Sequence, residues 1–185
     1  LLYDNSLIEI DSKSFESLWN LKSLYLYNNK LKEIEPNAFG NLTGLTELWL
    51  NSNKIAEINP NTFKNLSNLR QLYLGDNNIR GIDANTFKGL VNLEILSLSK
   101  NDLTQLDERL FESCANLKEL WLNSNRLVRI EPNTLNGLVK LESLSLSKNS
   151  ITRIDDRLFM GLSNLRFLWL NNNKLKSIDA NVLKR

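Results

Sequence analysis

Leu21-Lys22-Ser23-Leu24-Tyr25-Leu26-Tyr27-Asn28-Asn29-Lys30-Leu31 is the stretch on which the fold turns. Leu24 and Leu26 alternate as residues of a strand do, with their side chains on one face. After Asn29 the alternation stops and the apolar spacing widens through Leu31, Ile34, Phe39 and Leu42, as in a loop or short turn. The pattern then begins again 24 residues later. Asparagine stands at Asn5, Asn29, Asn53, Asn77, Asn101, Asn125, Asn149 and Asn173, and leucine keeps the same interval from Leu21 to Leu165. A fixed period of this size marks a solenoid.

Register sorts the columns of the repeat. One apolar column is Ile10, Ile34, Ile58, Ile82, Leu106, Ile130, Ile154 and Ile178; another is Phe15, Phe39, Phe63, Phe87, Phe111, Leu135, Phe159 and Leu183. A single coil cannot bury its apolar side, so stacked neighbours must bury it together. Strands about 4.8 Å apart give a stack roughly 35–40 Å long. The segments from Glu35, Asp83 and Asp155 open with an acid and run into Ala38-Phe39, Thr86-Phe87 and Leu158-Phe159. They suit short helical turns and lack the length of a regular helix. The asparagine column is expected to face inward where each strand ends. There an amide, with two donors and an acceptor, satisfies backbone groups that are otherwise buried and unpaired.

These residues carry a resemblance over the whole chain. The unit Leu-x-x-Leu-x-Leu-x-x-Asn-x-Leu is similar to the 24-residue leucine-rich repeats of extracellular recognition proteins such as Toll-like receptor ectodomains, Slit proteins and lamprey variable lymphocyte receptors. The resemblance implies an α/β repeat fold. A curved parallel sheet lines its concave face, with loops and short helical turns on the convex face. It also implies an extracellular or secreted location and a protein ligand. Residues 1–185 read as one such domain, with a partial first coil, seven registers from Leu21 and uncapped ends. Extracellular members usually carry cysteine-rich caps. Their absence suggests an excised or engineered segment, or end-to-end association. Blocks of units recur as well: Leu96–Asn101 matches Leu144–Asn149, and Glu47–Asn53 returns as Glu119–Asn125.

Composition narrows the chemistry. With no histidine, neither a serine–histidine nor a cysteine–histidine nucleophile is available, and zinc lacks its usual ligands. Cys114 occupies a leucine column (Leu42, Leu66, Leu90, Leu138) and reads as a small buried hydrophobe; with no second cysteine there is no intrachain disulfide. A net charge of +2 does not suggest a nucleic-acid partner. No apolar run is long enough for a membrane span. Asp155 and Asp156 are paired acids of a turn rather than an acid–base pair. No cofactor and no metal is expected. Asn41-Leu42-Thr43 and Asn65-Leu66-Ser67 are glycosylation sequons, though such triplets arise by chance in a chain this rich in asparagine.

Function is therefore sought on the sheet's outward face. Between the paired leucines stand Tyr25, Trp49, Tyr73, Ser97, Trp121, Ser145 and Trp169. Aromatic residues on a wet sheet suggest binding anchors. The alternative is that neighbouring rings stack across strands. Stacking accounts for Tyr25, Trp49 and Tyr73, but less well for Trp121 and Trp169, whose column neighbours are serines. The expected partner surface comprises Tyr25, Tyr27, Glu47, Trp49, Gln71, Tyr73, Ser97, Lys100, Glu119, Trp121, Lys148, Phe167 and Trp169. The leading reading is a non-enzymatic module that binds protein or peptide. A structural, adhesive or self-associating role and carbohydrate binding are the alternatives.

Overall fold

The computed structural model describes residues 1–182. Its strands are β1 (Glu9–Ile10), β2 (Ser23–Tyr25), β3 (Glu33–Ile34), β4 (Glu47–Trp49), β5 (Gln71–Tyr73), β6 (Ile95–Ser97), β7 (Glu119–Trp121), β8 (Ser143–Ser145) and β9 (Phe167–Trp169). Seven of them form one parallel sheet in the order β2-β4-β5-β6-β7-β8-β9, while β1 and β3 form a separate pair. Every neighbour is paired at the repeat interval, Leu24 with Leu48, Leu48 with Leu72 and so on to Leu144 with Leu168. Like therefore stacks on like, and each column of the sequence becomes a row of contacts. The first residues join in the same register without forming a strand: Leu2 N–H donates to the Tyr25 carbonyl at 2.9 Å and Asp4 N–H to that of Tyr27 at 3.2 Å.

The asparagine column does what its donor and acceptor count allows. Asn77 Nδ2 donates to the carbonyls of Leu74 in its own coil (3.1 Å) and Leu50 in the coil before (3.0 Å). Its Oδ1 accepts the Ile55 N–H at 3.0 Å. The same set repeats at Asn53, Asn101 and Asn149. Immediately before each ladder asparagine the chain bends through a positive φ, from Asp4 (55°) and Asn28 (53°) to Lys148 (53°) and Asn172 (57°). No glycine occupies this column. The three side-chain bonds that follow hold a left-handed conformation that L-residues otherwise avoid.

The turn side differs from expectation. No helix is present among the described residues, so the α/β repeat with short helical turns is corrected to strands joined by turns alone. In the third coil Thr62, Lys64, Leu66 and Leu69 donate to Asn59, Asn61, Phe63 and Leu66. These are three-residue-spaced bonds from donors two or three residues apart, never consecutive, and a helix needs them in unbroken succession. The expected acid or amide start is an Asx turn: Asp83 Oδ1 accepts Asn85 N–H at 2.8 Å, and Asp107, Asp155 and Asn59 act alike. Glu35 is one methylene longer and instead accepts the Ser12 N–H of the preceding coil. A second row of amides runs along this side, which sequence reasoning passed over. Asn68, Asn92, Asn116 and Asn164 each donate to a carbonyl of the coil before, at Thr43, Ser67, Val91 and Val139.

The core is one continuous cluster from Ile10 to Leu165. Phe15, Phe39, Phe63, Phe87 and Phe111 stack in file, with ring centroids 6.1–6.4 Å apart. Two columns weaken along their length: Ile82, Ile154 and Phe159 are only partly buried, and Ile178 is exposed, against the expectation of a uniform core. Leu183 lies outside the described residues. Cys114 is fully buried in its leucine column, and desolvation pushes its thiol up to about 12. It fills space rather than reacting.

Asn77→Ala leaves the Leu50 and Leu74 carbonyls and the Ile55 N–H without their partner, and is expected to destabilise by about 3 kcal/mol or more in urea unfolding, at roughly 1–3 kcal/mol per stranded group. By contrast, the hydroxyls of Thr62, Thr86 and Thr134 are buried without partners, in a column that elsewhere holds Ala38, Leu110 and Leu158. Thr86→Val removes that penalty at nearly constant volume, and the urea midpoint is expected to rise, by about 1 kcal/mol of stability.

Candidate functional site

Alternation sends the leucines of each strand inward and leaves the residues between them on the open face. In the seven-stranded sheet the central leucine of every strand but β9 is buried, and the residues flanking it in β2, β4, β5 and β7 are half-exposed. The indoles of Trp49 and Trp121 thus lie on the face and outside the core, in the register expected of them. Trp169 and Phe167 are more exposed still, and Lys100 and Lys148 stand exposed at the left-handed bends.

The rings form two islands. In the first, Tyr25 and Tyr73 lie on either side of Trp49, at centroid distances of 4.9 and 4.8 Å, and Tyr27 lies 5.9 Å from it. Tyr3, absent from the expected surface, extends this island by stacking on Tyr27 at 4.6 Å with planes 4° apart. Its place in Tyr27's column was the available signal. In the second island Trp121 and Trp169 meet at 5.3 Å, and Phe167 stacks on Trp169 at 5.8 Å. Sequence reasoning treated Trp121 and Trp169 as poor stacking partners because β8 separates their strands. The two indoles instead lean together over Ser145, which is only 4% exposed. A small residue in the intervening strand lets large ones converge above it.

Between the islands the face is low and small. Ser97 is buried, and its hydroxyl pairs with that of Ser99 at 3.1 Å. Ser97 was expected among partner-facing residues but offers a partner almost no surface. Beside it Gly75 is tightly enclosed: a Cβ there falls 3.0 Å from Ser99 Oγ and 3.2 Å from Ser97 Oγ, so the serines must give by a few tenths of an ångström.

Polar groups along the strand starts are tied to the rings. Tyr25 Oη donates to Glu47 Oε2 at 2.7 Å, Trp121 Nε1 to Glu119 Oε2 at 3.1 Å, and Tyr73 Oη to Gln71 Oε1 at 3.3 Å. The bond to Glu47 holds the Tyr25 phenol above its ordinary range. Tyr73 is raised too, by burial first and then by the charges of Glu119 and Glu47 on its two sides. Because Glu47 is taken by Tyr25, Trp49 Nε1 is left buried without a partner, as is Asn51 Oδ1 on the same strand.

The sequon asparagines lie on the turn side and are exposed; Asn65 Nδ2 donates to the Gly40 carbonyl at 3.2 Å. Two depressions lie away from the sheet face, one lined by Ile34, Ile58, Lys54 and Arg80, the other by Ile130, Ile154 and Arg153. Among the described residues no three His, Cys, Asp or Glu side chains are grouped to hold a metal, and no helix is long and apolar enough to cross a membrane.

A family model described as leucine rich repeat matches residues 1–55, 43–103, 91–151 and 140–185, which together span the chain. No curated protein matches. Among solved structures, the crystal structure of a TLR13–ssRNA13 complex superposes with a TM-score of 0.89 at 37% identity, covering 94% of this chain and 25% of that one. The Toll–Spatzle complex of Drosophila superposes with a TM-score of 0.79 at 26% identity over 96% of this chain, and its glycosylated form with a TM-score of 0.76 at 28% identity. The chain spans about a quarter of the length of each of these chains.

The Trp121–Trp169 contact generates a measurable coupling. A double-mutant cycle with Trp121→Ala and Trp169→Ala is expected to show about 0.5–1.5 kcal/mol of interaction in denaturant unfolding, despite the intervening strand.

Proposed function

Since the chain belongs to the leucine-rich-repeat family, we propose that it is a non-enzymatic recognition module, part of a receptor ectodomain or a secreted protein, that binds a protein or peptide on the concave face of its sheet. The observation that carries this reading is the pair of aromatic islands on the open face. Tyrosine and tryptophan are large, rigid anchors with polar tips, and such residues dominate binding energy at protein interfaces. Here they stand half-exposed around a low strip of Ser97, Ser99 and Gly75. Residues 1–185 act in this reading as one domain of a longer solenoid.

Two structural neighbours are complexes, one with RNA and one with Spatzle. A polyanion is held by stacked bases together with a basic track for its phosphates. This face has the rings but sets the carboxylates of Glu47 and Glu119 beside them, which favours a protein ligand over RNA. Adhesion and self-association, or sugar binding on the indoles, remain the alternative uses of the same surface. The two sequons, Asn41 and Asn65, are exposed and suit an extracellular or lumenal location.

Alanine at Trp49, Tyr73 and Trp121, tested singly, is expected to weaken capture of a partner from the native source by about 1–2 kcal/mol or more each, with circular dichroism and the urea midpoint showing the solenoid still folded. Retained binding in all three folded variants would remove the sheet face from consideration. Light scattering across a concentration series separates ligand binding from self-association.

A further inference from the structure

On the sheet face the glutamates stand at the strand starts and the lysines at the bends, where Asp76 lies one coil before Lys100. Glu47 and Glu119 occupy the first position of their strands, β4 and β7. Lys100 and Lys148 stand five residues beyond the first positions of β6 and β8, at the bends. Five residues, ending at the bend, separate the two edges by up to roughly 17 Å, more than the distance over which exposed charges act at physiological salt, about 8 Å. The lysines therefore do not neutralise the acids, and the aromatic column lies between the two edges.

The acid edge is also uncompensated locally. Some carboxylates at the strand starts and bends have cations: Glu94 takes both Arg70 (2.9 Å) and Lys118 (2.8 Å), Asp102 takes Arg126 (2.7 Å), and Glu142 takes Arg166 (3.6 Å). Neither Glu47 nor Glu119 has an ion pair among the described residues. Their recorded side-chain bonds come from neutral donors on the same face, Tyr25 and Trp121. Of the cations that precede these or the neighbouring strand starts, Arg70 and Lys118 are held by Glu94, whose carboxyl the Lys118 bond keeps below its ordinary range, and Lys22 Nζ donates to the Gly44 carbonyl. Two carboxylates without a cation, each beside an indole two residues along its strand, make two acceptor sites for a cation at a ring, although Glu47 is bonded to Tyr25 and Glu119 to Trp121 itself.

Their separation is fixed by the sheet. β4 and β7 are three strand spacings apart, about 14 Å. An extended chain laid across the strands covers that distance in four residues at about 3.4 Å each, and side chains four apart emerge on the same side. Gln71 and Ile95 occupy the first positions of the strands between and bring no charge. Building on the reading of this face as a ligand surface, we propose that it takes an extended basic segment of a protein, with two arginine or lysine side chains at i and i+4 seated on Glu47–Trp49 and Glu119–Trp121.

The probes are four short glycine–serine peptides: two arginines at i and i+4, the same two at i and i+3, two glutamates at i and i+4, and none charged. A single-stranded oligouridine is the fifth. Calorimetric titration at low salt is expected to rank the first peptide tightest, with affinity falling as salt rises. Glu47→Gln and Glu119→Gln are each expected to weaken it by about two- to fivefold, while Asp155→Asn on the turn side leaves it unchanged. Equal binding of the i, i+3 peptide, tighter binding of the acidic peptide or of oligouridine, or no binding of any probe overturns the proposal. The underlying face reading fails separately: it falls if Trp49→Ala and Trp121→Ala leave the titration unchanged. If those variants weaken binding and the glutamine variants do not, the face binds ligands but not through its acids.

Discussion

One amide per coil holds this molecule in shape. A solenoid of three-residue strands has little ladder to rely on, and where each strand stops it strands carbonyls and N–H groups in the interior. Asn53, Asn77, Asn101, Asn125 and Asn149 collect those groups, each binding carbonyls of two coils and an N–H. The left-handed bend at the preceding residue is the geometric condition for the amide to turn inward, and the bonds it makes hold the bend. Everything on the face depends on this: the bend fixes where the strand ends, and so which side chains look out.

The period made the sheet legible. Once one coil is known, stacking at a constant interval places every equivalent residue, so the register of all seven strands and the outward tryptophans could be read from Leu24, Leu26 and Asn29. What the period could not supply was conformation within the turn segment. Acid-led runs such as Asp83–Phe87 carry the same start signal for a helix and for a chain of separate turns; the choice depends on whether adjacent N–H groups bond in succession, and here they do not. The weakening of the core at Ile154 and Ile178 was hidden for a similar reason, because a column says what a residue is equivalent to and not how many neighbours cover it.

The site was legible in membership and less so in geometry. Treating columns as nearest-neighbour files made Ser145 look like a break between Trp121 and Trp169. In three dimensions it is a low spot over which two long side chains close. The same logic applied to Ser97 gives the opposite result, because Tyr73 is already engaged with Trp49 and Trp121 with Trp169, so the gap stays open. Whether a small residue joins its neighbours or separates them depends on what else those neighbours touch, information that lies two strands away.

The amide ladder has a direction. Each asparagine reaches back, closing the backbone of the coil before it and never that of the coil after. Peeling away a coil at the N-terminal side frees only amide groups, which water can satisfy as they surface. Peeling one from the C-terminal side instead strips its predecessor of the partner that kept its interior carbonyl and N–H paired. Under mechanical tension the two ends are therefore not equivalent: unravelling that starts from the C-terminal side weakens the next coil as it goes, and the stack behaves as a zipper with one preferred slider.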